Sequence, residues 1–420
     1  MVINIELIRS DPSLTKKLLQ QRGEEIPVQE IIDMDNRRRA LVSKTDDLRA
    51  RRNSASKDIS QKVNMSTELI EEMRSVGSEI KALDAETRIL QKEINELLLT
   101  IPNIPQNDVP IGEDDTSNEI VRTIGSPRAF PFNPLPHWTI GENLGIIDLE
   151  RGAKLSGARF FVLKGKGAKL QRALISWMLD LHVGEHDYEE IYLPNLVTQK
   201  TVTSSGHFPK FADTMYHDND DDLWMIPTAE VPITNLLRDE ILPPDVLPIY
   251  YAAHTPCFRR EKTAAGRDTR GIKRVHQFEK VEMYKFVEPD ESETELQRLV
   301  SDAEEICIRL GITHRVLQLC TGDLGFSAVK GYDIEIWAPG SNEWLEVSSC
   351  SNCTDFQARR ASIRYRPKLG ARPKFVNTLN GSGLALPRVI IAILENYQES
   401  DGSVTIPEVL RPYTGFDHIG

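Results

Sequence analysis

The residues best suited to chemistry sit in one stretch, Phe258–Phe286, which reads FRREKTAAGRDTRGIKRVHQFEKVEMYKF. Its first part ends on Arg259–Glu261, a Gly- and charge-rich loop follows, and His276–Val287 alternates strongly. That order predicts a strand, a long loop and a second strand. In the first strand Arg259 and Glu261 are two apart, so they are expected to share one face about 7 Å from each other. In the second, Phe278 and Glu282 share a face with Lys280 between them. Unpaired charges are costly to bury, so this surface is badly made for a core. It suits a ligand that carries an anion, an amine and a flat ring.

Three further groupings flank it. Thr228-Ala229-Glu230, within WMIPTAEVP, lies about 30 residues upstream of Arg259, and Glu346-Val347-Ser348-Ser349 lies in the strand-like EWLEVSSCSNC. Asn380–Arg388, NGSGLALPR, is read as opening a helix that continues VIIAILENY. There Gly381 and Gly383 allow close backbone approach, and a helix N-terminus favours an anion. Each grouping alone has an ordinary explanation: a surface Arg–Glu pair, a surface carboxylate, a basic residue in a first helical turn.

Taken in order they are specific. FRxE, GRDTRG and HQFxKVEM resemble motif 2 of the class II aminoacyl-tRNA synthetases, in the form it takes in the bacterial-type seryl-tRNA synthetases. TAE resembles that family's amino-acid-binding TxE element, and NGSGLALPR resembles motif 3. The resemblance covers essentially the whole chain and implies ATP, L-serine and Mg²⁺ as ligands. For serine it implies Thr228, Ala229, Glu230, Arg259, Glu282 and Ser382. The ammonium needs a carboxylate and the hydroxyl a hydrogen-bond partner, and which of Glu230 and Glu282 takes which stays open. For ATP it implies Arg259, Arg260, Glu261, Val275, Phe278, Glu346, Val347, Ser348, Ser349 and Arg388. Glu261 would accept from the adenine amino group, Phe278 would stack on the ring, and Arg388 would contact the γ-phosphate. Glu346 and Ser349 would give oxygens to Mg²⁺, which normally keeps few protein ligands beside phosphate. Arg259, Arg388 and Glu346 would be the catalytic groups. Pro387 stands where many relatives have a small residue, and a first helical turn tolerates it.

The elements that must position these residues read as an α+β chain in three parts. Residues 1–105 are expected to hold a long antiparallel helical hairpin, 106–136 a linker, and 137–420 a class II body with a mainly antiparallel sheet flanked by helices. In the arm, Leu69, Met73, Val76, Ile80, Leu83, Thr87, Leu90, Ile94 and Leu97 form a heptad seam with one polar interruption. The first helix has a thinner seam, Ile31, Met34, Leu41, Leu48, Ala55 and Ile59, with Arg38, Thr45 and Arg52 at intervening core-type positions. The segment Lys62–Thr67 supplies the turn, with Ser66 or Thr67 as the cap. A helix of 33 residues would reach roughly 50 Å. Seven prolines between Ile101 and Pro136 predict extended chain. Within the body, a helix over Gly167–His186 followed by IYLPNLV with Pro194 resembles motif 1, which implies a homodimer.

Charge is divided unevenly. The whole chain carries −12, with a pI near 5.4, which argues against indiscriminate nucleic-acid binding. Yet Arg37–Lys62 holds nine Lys/Arg against three Asp/Glu, whereas Glu68–Glu96 holds four against eight. Much of this is expected to be interhelical pairing. Beside the synthetase motifs, the basic excess resembles the family's tRNA-binding arm, with Arg51, Arg52, Lys57 and Lys62 as the candidate contacts to tRNA(Ser).

Forty per cent hydrophobic and 27% charged residues among 420 suit two or three domains with a sizeable core. No secretory signal and no bilayer-spanning run is expected, and five cysteines predict reduced thiols in a cytoplasmic compartment. Cys350-x-x-Cys353 has no second pair, so a packing role is expected in place of zinc. The implied reaction is serine activation by ATP to seryl-adenylate, then transfer to the 3′ end of tRNA(Ser), with charging of tRNA(Sec) left open. A paralogue that loads a carrier and a non-catalytic RNA-binding relative are the competing readings. The basic hairpin counts against the first, and retention of Arg259, Glu261, Glu346, Arg388 and the TAE element against the second.

Overall fold

The computed structural model describes residues 5–60, 67–262 and 269–420. The chain divides into two compact units: Met1–Gln20 with Glu24–Ile101, and Gln21–Gly23 with Pro102–Gly420.

The first unit consists of α1 (Ile5–Ser10), most of α2 (Pro12–Gln21), α3 (Val28–Ser60) and α4 (Thr67–Leu99). On α4 the seam buries Val76, Ile80, Leu83, Leu90 and Ile94, with Thr87 half-buried. At its end Leu98 is buried and Leu97 only half-buried, so the stripe drifts off the strict heptad. Ion pairs Arg37–Glu86 at 2.6 Å, Lys44–Glu79 at 2.7 Å and Arg51–Glu72 join the two long helices. Partners on α4 descend as those on α3 ascend, so the hairpin is antiparallel. The α3 seam buries polar groups as well: Thr45 is buried, and Asp35 is fully buried and held by Arg38 at 2.7 Å and Arg9 at 3.4 Å. Arg52 and Lys57 are exposed. Lys62, Ser66 and the turn they were expected to form lie outside the described residues, as do Gly266, Arg267 and Asp268 of the GRDTRG motif.

The second unit is built on one eight-stranded sheet. Its strands are β1 (Glu119–Ile124), β2 (Glu189–Glu190), β3 (Ile249–Phe258), β4 (Gln277–Val287), β5 (His314–Gln318), β6 (Lys330–Ala338), β7 (Glu343–Thr354) and β8 (Asn377–Ala385). They lie in the order β1-β5-β6-β7-β8-β4-β3-β2, and every pairing is antiparallel except β2 with β3. The stretch expected as a linker therefore contains an edge strand, because Glu119–Ile124 finds open backbone groups on β5. The IYLPNLV segment is not one strand either. Pro194 lies between the two-residue β2 and a separate short strand, Leu196–Thr198.

Helices α6 (Lys166–Glu185), α8 (Ser292–Arg309) and α10 (Leu386–Asn396) cover one face of the sheet. They bury Leu170, Leu174, Met178, Leu296, Leu299, Ile390 and Ile393 against Val281, Met283, Ile334 and Leu379. Three shorter helices complete the parts used below: α5 (His137–Asn143), α7 (Glu230–Thr234) and α9 (Phe356–Ala361). On β4 the odd positions Val281, Met283 and Val287 enter the helix-side core. The even positions Tyr284 and Phe286 enter a second apolar cluster with Ala229, Ile233, Ala358 and Ala361. Phe278, Lys280 and Glu282 continue that even face into open space.

Gly381 and Gly383 do allow a close approach, but within the fold. A Cβ on Gly381 would stand 3.0 Å from Leu299 and Cys350 side-chain atoms, and one on Gly383 would stand 2.6 Å from His182 Nε2. Both serve packing of the helix layer, and NGSGLA is strand up to Ala385, the helix starting only at Leu386. Cys350 and Cys353, three apart on β7, face different surroundings. The Cys350 thiol reaches toward Leu299 O and Cys353 Sγ accepts from Asn380 Nδ2.

Candidate active site

Two β-bulges shape the site. In the β6–β7 ladder Glu335 pairs with Glu346 and Ile334 with Ser348, so Val347 is the extra residue. Residues three apart on a regular strand face opposite sides. The extra residue resets the alternation, so Glu346 and Ser349 open onto the same cavity while Val347 packs into the helix-side core. Beside it, Glu282 pairs with Ser382 but Lys280 pairs with Ala385, so β8 has two residues opposite Val281. Leu384, at φ 126°, takes up that irregularity with its side chain in the core. Ser382 and Ala385, also three apart, both line the cavity.

The cavity has two connected parts that share Arg259, Glu261, Lys280, Glu346 and Ser382. The larger, of about 500 Å³, is lined by Thr228, Glu230, Glu282, Ser349, Asn380 and His207 among others. The smaller, of about 200 Å³, is lined by Lys273, Arg274, Val275, Phe278, Val347 and Arg388. Arg259 and Arg388 thus border one space.

Polar groups in the larger part are tightly interlocked. Thr228 Oγ1 donates to Glu282 Oε2 at 2.9 Å and accepts from Lys280 Nζ at 2.9 Å, and Lys280 also pairs with Glu282. Glu230 Oε1 accepts from Gln357 Nε2 at 2.6 Å and Asn380 Nδ2 at 3.2 Å. Tyr284 and Thr378 hydroxyls donate to Gln357 Oε1, at 2.8 and 2.7 Å, which fixes the orientation of that amide. Burial pushes both carboxyls up. For Glu230 the opposing influences are Lys280, the Gln357 hydrogen bond and Arg259, and for Glu282 they are Lys280 and Thr228. Burial, with Arg259, Lys280 and Arg360 nearby, pushes His207 down to about 3, so its imidazole is neutral at ordinary pH.

In the smaller part, Arg388 lies 3.3 Å from the Glu346 carboxylate and donates to the Glu346 carbonyl. Arg259 donates from Nε to Pro227 O, and its guanidinium lies 5.2 Å from the Phe278 ring centroid. Glu261 does not continue the strand. β3 ends at Phe258, the ladder closes with Arg259 N–H on His276 O, and Glu261 takes a left-handed φ of 45°. Its side chain still borders both parts of the cavity, 3.6 Å from Arg274.

Three residues named from motif strings stand elsewhere. Ala229 is buried in the second apolar cluster. The Arg260 guanidinium lies 5.1 Å over Tyr216. Ser348 is buried and donates to Ser382 O at 2.6 Å, tying β7 to β8. The structure adds Lys280, Asn380, Gln357, His207, Lys273 and Arg274. Lys280 was visible in the alternation of β4 and Asn380 in NGSG. Gln357 and His207 come from distant segments with no local signal.

A hard cation fits the donor set beside Glu346. Ser349 pairs in register with Asp333, whose Oδ1 is buried without a hydrogen-bond partner, and burial and the Glu346 charge push the Asp333 carboxyl well up. Among the described residues no three His, Cys, Asp or Glu side chains form a metal cage. A cation here would draw most ligands from phosphate and water.

Comparison with known proteins agrees with this geometry. Residues 2–105 match the seryl-tRNA synthetase N-terminal domain, and residues 211–397 match the tRNA synthetase class II core domain (G, H, P, S and T). The chain is 58% identical over 416 residues to the serine–tRNA ligase of Thermomicrobium roseum, covering 99% of this chain and 94% of that one. It is 51% identical over 418 residues to that of Dehalococcoides mccartyi, covering all of both. It superposes on seryl-tRNA synthetase from Pyrococcus horikoshii complexed with ATP with a TM-score of 0.95, at 39% identity over 99% of each chain. By sequence, by fold and by a cavity that joins the two motif arginines, the chain belongs to the seryl-tRNA synthetase family, the ligases that join serine to tRNA at the expense of ATP.

Proposed function

We propose that the smaller part of the cavity holds ATP and the larger part serine, with their junction at Arg259. The observation that carries this reading is the single space bordered by both Arg259 and Arg388. Arg259 meets the serine carboxylate and the α-phosphate, Arg388 the γ-phosphate, Phe278 the adenine ring and Glu261 its amino group. Glu346 and Ser349 would hold Mg²⁺, which would supply neutralisation of phosphate charge.

The two carboxylates differ in a way that supports one assignment over the other. Glu282 already has a cationic partner in Lys280, and Ser382 stands opposite it in register. It suits the serine hydroxyl. Glu230 receives its hydrogen bonds from neutral amides, so it lacks a directly bonded positive charge and suits the ammonium.

The serine carboxylate oxygen attacks the α-phosphorus, forming an acyl–phosphate bond as the bond to the bridging oxygen of pyrophosphate breaks. The 3′-hydroxyl of the terminal adenosine of tRNA then attacks the acyl carbon, loses its proton, and releases AMP. No side chain becomes covalently attached. Rate enhancement comes from alignment and from fixed positive charge where negative charge gathers.

The helical hairpin of residues 1–105 grips tRNA(Ser) through backbone and shape, with Arg52 and Lys57 exposed on α3 and Arg51 engaged by Glu72. The body pairs as a homodimer through the segment around Pro194, where Tyr192 is 95% exposed. The enzyme works in the cytoplasm, and no helix among the described residues is long and apolar enough to cross a membrane. Serine-dependent ATP–pyrophosphate exchange, followed by serine transfer to total tRNA, tests the reading. Exchange that does not require serine would overturn it.

A further inference from the structure

One buried pair outside the substrate cavity holds Gly271 and Ile272, in the stretch that leads into β4. His137, the first residue of α5, and Glu395, near the end of α10, are both fully buried. Glu395 Oε1 accepts from the His137 backbone N–H at 2.9 Å, from His137 Nδ1 at 2.9 Å and from the Ser341 hydroxyl at 2.8 Å, and its Oε2 accepts from Ser341 N–H at 2.9 Å. Burial would raise this carboxyl, but the His137 and Ser341 donors outweigh it and hold the carboxyl below its ordinary range. An ionised carboxylate only accepts, so Nδ1 carries the imidazole proton. Nε2 is left with its lone pair, and there the backbone N–H of Ile272 donates at 3.2 Å. A backbone amide can only donate, so both ends of the ring require the same tautomer.

The contact is built closely. Gly271 has φ 68°, and a Cβ there would stand 2.0 Å from Nε2, so only glycine lets the loop approach. Trp138, next in sequence, lies under the cations on either side: Arg270 at 4.7 Å and Lys273 at 5.3 Å from its ring centroid. Directly after this anchor come Lys273, Arg274 and Val275, which line the smaller part of the cavity, and Lys273 O accepts from Arg388 Nε.

We propose that His137, oriented by Glu395, is a positioning residue for the nucleotide: its Nε2 fixes the returning half of the loop so that Lys273, Arg274 and Val275 meet ATP. This rests on assigning the smaller part of the cavity to ATP. It sets an order of dependence, in which ATP binding needs the His137 acceptor and serine binding does not.

Two near-isosteric variants separate the ends of the ring. His137→Asn keeps an N–H where Nδ1 is and leaves Ile272 without an acceptor. His137→Gln places its carbonyl near Nε2 and restores that acceptor. In full-length protein, ATP affinity measured by calorimetry, and KM for ATP in exchange, should weaken about tenfold or more in His137→Asn and recover most of the way in His137→Gln. KM for serine should stay within about twofold in both. Gly271→Ala, which crowds Nε2 from the loop side, should repeat the ATP defect with His137 intact, and it serves if His137→Asn does not fold. Unchanged ATP affinity in His137→Asn or Gly271→Ala, or equal losses for ATP and serine, would overturn the proposal. Wild-type protein with no serine-dependent exchange would instead defeat the underlying assignment of the cavity.

Discussion

The guanidinium of Arg388 lies 3.3 Å from the carboxylate of Glu346, two groups assigned to opposite charges of one ligand, Mg²⁺-ATP. In the reading proposed above, each holds the partner that the nucleotide and its cation would replace. Glu346 is 47% exposed, and a pair of that kind is worth about 0–1 kcal/mol, so it yields readily to phosphate and cation.

Arg388→Ala should reduce serine-dependent pyrophosphate exchange about 100-fold or more, the scale of losing one fixed charge from a transition state. Thermal stability should change little. Near-normal exchange in this variant would remove Arg388 from the site.

The carboxylates should fail differently. Glu230→Gln should raise the serine KM about 100-fold with less effect on that for ATP, because the ammonium loses its counter-charge. Glu282→Ala should also raise the serine KM far more than that for ATP, and should erode discrimination between serine and alanine. A site that bonds a hydroxyl rejects the analogue lacking it by leaving its own polar groups unpaired. Discrimination unchanged in Glu282→Ala would reverse the assignment.

Acid should weaken serine binding earlier than an ordinary carboxylate would predict. Burial raises both Glu230 and Glu282, so each protonates at a higher pH than a solvated glutamate. Binding needs the ionised forms, is full above the raised values, and is lost as pH falls through them. A KM for serine that stays flat down to the usual glutamate range near pH 4.5 would contradict this.

Shortening the hairpin should separate the two half-reactions. Excision of residues 42–81 with a short turn keeps the Arg37–Glu86 pair and the Asp35 knot, and removes the distal half of both helices. Pyrophosphate exchange should persist at about the wild-type rate while tRNA charging drops at least tenfold. Equal charging would sink the arm's proposed role.

The seam of α4, the strand pair flanking the loop and the polar even face of β4 are all periodic, so neighbouring residues carried that information. What periodicity alone could not show, and only the motif resemblance named, depends on interruptions of period. Glu346 and Ser349 share a side only because Val347 is an extra residue, and Ser382 keeps step with Glu282 only because Leu384 absorbs an irregularity. Ala229, Arg260 and Ser348 were named because they sit inside motif strings, and strings do not say which way a side chain turns. Gln357, which fixes Glu230, comes from α9, more than a hundred residues away, and nothing local marks it.

The strand that carries Phe278, Lys280 and Glu282 carries Val281, Met283 and Val287 on its reverse. A slip of one position would drive ammonium and carboxylate into oil and turn valine and methionine toward the substrates. Alignment of the chemistry is thereby policed by greasy residues that never meet a reactant, and damage to those residues can be read out as an enzymatic defect.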